Sequence, residues 1–174
     1  ADTEVNNLNN RRGKGIIRFT SIDVMDYSGN SRYAFEYGEQ VRFKVSYKTF
    51  KEMKGITLTI ALMSGLSREC LTLSHFEITN LTVDAGTCGE AVVEFSDLNI
   101  KPGEYPLYFE LTDSHYNSDS KDVIDDLTAP LIIKGGDKLK DSDFDPGKPS
   151  GFFSTPSKLI LNELNENIME VKNL

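Results

Sequence analysis

Tryptophan is missing from this 174-residue chain, and cysteine and histidine occur only twice each. Without tryptophan, the paired-cysteine and tryptophan core of an immunoglobulin domain is excluded, although its sandwich architecture is not. Cys70 and Cys88 stand 18 residues apart. They are read as two buried or half-buried thiols of a reducing compartment, with a disulfide as the alternative if adjacent strands bring them together. Only His75 and His115 offer an imidazole base. No apolar run approaches the roughly 18 residues of a membrane-spanning helix, and no apolar stretch marks a signal peptide. The start at Ala1 in place of Met is expected of a domain taken from a longer or processed protein. Positive charge is also short: 19 Lys and Arg against 27 Asp and Glu leave a net charge of -8. Nucleic acid and anionic membrane surfaces are therefore poor partners, because phosphate neutralisation needs a basic face.

Catalytic motifs are equally scarce. There is no G-x-S-x-G elbow, no H-E-x-x-H and no phosphate-binding loop. Asp113 and His115 share a polar loop but lack a marked nucleophile. No catalytic residue, metal ligand or cofactor is assigned, and the chain is read as a non-enzyme. Asp141, Asp143 and Asp145 alternate as calcium ligands can, but Gly147 and Phe152 occupy positions where a calcium loop needs other residues. An acidic turn is the simpler reading. Asn80-Leu81-Thr82 fits the glycosylation acceptor pattern, a frequent chance match.

What the chain has in quantity is alternation. Val41, Phe43, Val45 and Tyr47 alternate with Arg42, Lys44 and Ser46, so one face of this strand is buried and the other wet and cationic. Ile17 and Phe19 are followed by Ile22 and Val24 with the phase shifted by one, which predicts a bulge near Thr20-Ser21. Ile56 to Leu62 predicts a half-buried strand after a charged loop over 48–55. Residues 69–79 predict one irregular strand, and Ala91, Val93 and Phe95 another. After the Pro102-Gly103 turn, Tyr105 to Leu111 alternate again; 123–127 and 131–133 complete a strand pair or one strand broken at Pro130. Seven to nine short strands at regular spacing predict an all-β, antiparallel β-sandwich.

Three segments follow: a polar linker at 1–14, the sandwich at 15–134, and an extension at 135–174. In the extension, Leu161, Leu164, Ile168 and Val171 fit a helical stripe, while Leu159 and Leu161 fit a strand. The extension, with its apolar tail, packs on its own domain, exchanges with a second copy or covers the binding site as a lid. The outward positions of the two strongest strands, Arg42, Lys44, Tyr108, Glu110 and Thr112, form the candidate binding face. Charged groups make directional hydrogen bonds to sugar hydroxyls, and an aromatic ring covers the apolar side of a pyranose.

Four elements together resemble a known family. They are Gly15-Ile16-Ile17 leading to Ile22-Asp23-Val24 and Gly29; Phe35-x-Tyr37-Gly38-Glu39-x-Val41-x-Phe43-x-Val45-x-Tyr47; Val93-x-Phe95 with Leu98 and Pro102-Gly103-Glu104-Tyr105; and Leu107-x-Phe109-x-Leu111-x-Asp113. Their order and spacing over about 13–134 resemble the C-terminal carbohydrate-binding domain of Wzt-type ATP-binding subunits of bacterial ABC transporters that export O-antigen polysaccharide. The resemblance implies an immunoglobulin-like sandwich that is a homodimer, cytoplasmic and peripheral at the inner membrane. It implies partnership with the transporter's ATPase and membrane subunits, and recognition of the exported glycan, often through its non-reducing end. The family has no invariant binding motif, so the five site residues rest on strand geometry alone. A structural or protein-interaction sandwich of a cell-surface protein is the alternative, and it predicts a Cys70–Cys88 disulfide. A carbohydrate-active enzyme is a third.

Overall fold

A computed structural model describes residues 11–135, except 97, 99 and 128, together with 157–161 and 170–171. Two sheets face one another. The first has the order β1 (Arg11–Gly13), β10 (Asp122–Asp125), β9 (Leu107–Thr112), β5 (Met53–Met63), β6 (Cys70–Val83). The second runs β13 (Glu170–Val171), β12 (Ser157–Leu161), β7 (Cys88–Phe95), β4 (Val41–Thr49), β2 (Ile17–Met25). A small third sheet joins β3 (Ala34–Glu36), β11 (Leu131–Lys134) and β8 (Gly103–Tyr105). Every pairing is antiparallel except β3 with β11. The all-β sandwich expected from alternation is the fold.

The core is the inward half of each alternation. Phe19, Val45 and Phe43 from one sheet meet Leu58, Ile60 and Phe109 from the other, all essentially without solvent exposure. Phe109 joins the layers, its ring standing edge-on to Phe19 at 6.3 Å and to Phe43 at 5.8 Å. Such edge-to-face pairs add about 0.5–1.5 kcal/mol each beyond simple burial.

The register of β2 shifts between Phe19 and Ser21, the bulge that the change of phase predicts. Here β2 is sealed by side chains. Asp122, fully buried at the start of β10, accepts from the Phe19 amide at 2.7 Å, from Arg11 at 2.5 and 3.0 Å, and from Arg18 at 2.8 Å. Arg11 returns a bond to the Phe19 carbonyl at 2.9 Å. A buried carboxylate is tolerated because its charge is matched and its lone pairs are filled.

Several expectations change. The polar head is not wholly a linker, since Arg11–Gly13 pairs with β10. The loop expected at 48–55 shrinks, because β4 runs to Thr49 and β5 starts at Met53. β5 is buried on both faces instead of one, as an interior strand flanked by β9 and β6 whose outer residues are small. The single strand expected at 105–111 breaks at Pro106, which lacks an amide donor; β8 joins the small sheet and β9 the large one. β10 and β11 are separate strands in separate sheets. Both cysteines are free and exposed, not buried, so the disulfide expected of a cell-surface domain is not formed. In the extension, 157–161 is a strand lying along β7 of its own chain. Asp141 to Asp145, Phe144, Phe152 and Phe153 lie outside the described residues, as do Leu164 and Ile168 of the helical stripe.

Candidate functional site

The five residues chosen from strand geometry do not share one face. Arg42 and Lys44 lie on β4, whereas Tyr108, Glu110 and Thr112 lie on β9 in the facing sheet. Because the two sheets bury their inner faces against each other, outward positions on β4 and β9 look in opposite directions. Arg42 is held by Glu94 at 2.7 Å and stacks on Tyr27 at 4.4 Å, and Lys44 pairs with Glu90 at 3.0 Å. These are cross-strand charge pairs of an ordinary solvated face.

The β9 side is organised differently. Strand register sets Arg12, Val123, Glu110, Thr59 and His75 in one row across five strands. The next row carries Asp125, Tyr108, Ala61 and Leu73. Between these rows β5 contributes the small residues Thr57, Thr59 and Ala61, all buried. Surface-accessible on this face are Tyr108, half-buried on β9, and, two strands across on β6, His75 and Leu73, with Tyr116 over His75.

Hydrogen bonds fix these groups. The Tyr108 hydroxyl donates to Glu110 Oε2 at 2.6 Å, and Lys121 Nζ reaches both oxygens of Glu110 at 3.1 and 3.3 Å. Burial, and then the Glu110 carboxylate, push the Tyr108 phenol far above its ordinary range, so the hydroxyl stays a donor. Glu110 is only 8% exposed. Its charge is matched by Lys121, which leaves a neutral cluster with donors and acceptors at its rim. Thr112 is fully buried, so it supports the face without presenting its hydroxyl to a ligand.

Two residues of the face escape strand geometry. His75 Nδ1 is 2.8 Å from the Thr59 hydroxyl, and its ring stands edge-on to Tyr116 at 6.1 Å. Tyr116 comes from the loop between β9 and β10, which crosses β5 to reach β6. Asp113 shapes that loop, its Oδ1 accepting from the His115 and Asn117 amides at 3.0 and 2.9 Å. Its carboxylate therefore serves the loop backbone and not the His115 imidazole. Ser114 ties the loop down through its amide and hydroxyl, both donating to the Lys54 carbonyl at 3.0 and 2.8 Å. The approach needs Gly55 (φ +70°), where a Cβ would come within 2.8 Å of Ser114. The Asp113-x-His115-x-Asn117 spacing is the one sequence signal for this built loop.

Comparison with known proteins gives a consistent picture. A family model described as the Wzt C-terminal domain matches residues 9–129. Among solved structures, a crystal structure of the C-terminal domain of wzt is similar at a TM-score of 0.60 and 15% identity, over 72% of this chain and 78% of that one. At this identity the likeness speaks for the fold. A Niemann-Pick type C2 protein from Japanese carpenter ant shows 10% identity over 70% of this chain and 96% of its own, at a TM-score of 0.48, too distant to argue from. No curated protein matches the chain.

Proposed function

The chain belongs to the Wzt C-terminal domain family, and from that premise we propose that it is a non-catalytic carbohydrate-binding module of an O-antigen-type ABC transporter. In this reading it binds the polysaccharide to be exported, at its non-reducing end, and couples that event to the ATPase and membrane subunits. It works in the cytoplasm at the inner membrane and as a homodimer, with the C-terminal strand the element open to exchange between copies. Membrane association in this reading runs through the transporter; among the described residues no helix is long and apolar enough to cross a membrane.

The observation that carries the proposal is the outer face of β9, β5 and β6. A tyrosine pre-ordered by a charge-matched carboxylate stands there, and an imidazole lies further along the same sheet face. Sugars are bound by groups of this kind, because hydroxyls need paired donors and acceptors and ring faces need apolar cover. Arg42 and Lys44 are not part of this binding face. Calorimetric titration with the O-polysaccharide of the source organism, intact and enzymatically trimmed at its non-reducing end, tests the reading. Saturable binding to intact polymer alone is expected. Equal binding to both forms would replace end recognition by recognition of the repeat unit, and no binding to either would overturn the proposal.

A further inference from the structure

Tyr116 combines three properties that a loop residue rarely has together. Its backbone is left-handed (φ +54°), a conformation disfavoured for a bulky side chain. The residue is 52% exposed although its side chain is large and mostly apolar. And the loop carrying it is pinned by Asp113, Ser114 and the Lys54 carbonyl, so the ring is presented in a fixed place. A strained backbone that persists because its surroundings over-determine it points to use of the side chain it displays.

The ring's neighbour is suited to share that use. His75 has Nδ1 engaged by Thr59, which leaves Nε2 on an exposed ring for a ligand. By register, His75 lies two strands across and two residues along from Tyr108. Standard strand spacings put those positions about 12 Å apart, further than one sugar ring spans. The two aromatic points therefore meet different units of a bound chain. The face also disfavours negative charge: Lys121 is spent on Glu110, and Glu77 adds an exposed carboxylate beside Thr57.

Resting on the glycan-binding reading, we propose that Tyr116 and His75 form a second sugar subsite, in which an uncharged pyranose stacks on the Tyr116 ring and hydrogen-bonds to His75 Nε2. Pre-ordering of the loop lowers the entropy lost on binding.

The test is calorimetry with the intact O-polysaccharide, joined to NMR titration with the methyl α-pyranosides of glucose, mannose, galactose and rhamnose, and with glucuronate. Tyr116→Asn, which accepts left-handed backbone, is expected to weaken polymer binding at least fivefold, while Tyr116→Phe stays within twofold of wild type. At least one neutral pyranoside is expected to shift the Tyr116 and His75 ring signals saturably. If wild type binds polymer and Tyr116→Asn binds it equally well, the subsite is refuted and the glycan-binding reading stands. If wild type binds no polymer, both fall together. A stronger shift with glucuronate than with any neutral sugar would refute the uncharged class.

Discussion

Tyr108 and Glu110, two residues apart on β9, share a 2.6 Å hydrogen bond from phenol to carboxylate. Neighbours of this spacing project on the same side of a strand, so the bond orders both groups before any ligand arrives. Tyr108→Ala is expected to weaken glycan binding roughly 5- to 15-fold, the effect of about 1–1.5 kcal/mol for a lost net hydrogen bond. Circular dichroism should show an intact fold, since the side chain is only half-buried. Unchanged affinity in a folded variant would remove Tyr108 from the site.

High pH should unfold the domain early. Burial raises the phenols of Tyr47, Tyr105 and Tyr108, with Glu110 adding to the effect at Tyr108. Below the unfolded value of about 10 these groups are neutral in both states, and the stability they contribute is complete. Above it the unfolded chain loses protons that the folded one keeps, so stability falls as pH climbs towards the folded values. Phenolate absorbance should show Tyr47, Tyr105 and Tyr108 titrating late. Ordinary titration of these three would contradict the burial assigned to their rings.

Asp122→Ala should be among the most damaging single changes. It strands two guanidinium groups and the Phe19 amide, all of which Asp122 satisfies while fully buried. A loss of about 3–5 kcal/mol is expected. Lys14→Ala, breaking an exposed pair with Asp119, should cost about 0–1 kcal/mol. Urea denaturation of both variants checks the contrast; equal effects would mean that the clamp is dispensable.

Deleting residues 157–174 should uncover the β7 backbone where β12 pairs with it. If the strand is exchanged between copies, light scattering will show a monomer in place of a dimer. A dimer that survives the deletion eliminates exchange of this element.

Periodicity made β4 legible, and the slip of phase between Phe19 and Ile22 made the bulge legible, because both are local properties of one strand. Sheet membership is not local. Alternation tells that Arg42 and Tyr108 face outward, but which outer face each one joins depends on pairings between residues far apart in the chain. Thr112 has the outward phase and is nevertheless buried. His75 was hidden in a strand whose register slips against β5 at both ends, and Tyr116 in a loop whose course depends on Gly55.

The clamp on Asp122 has an architectural consequence. At the bulge, the Phe19 amide and carbonyl are taken by side chains from the opposite layer, and the Val24 carbonyl by the Arg32 amide. Any chain approaching this flank finds these bonding positions occupied. The other flank of the same sheet is completed by a strand arriving from the far end of the polypeptide. The sandwich thus has one margin partly sealed by its own side chains and loop, and another that is lengthened by its own C-terminal strand.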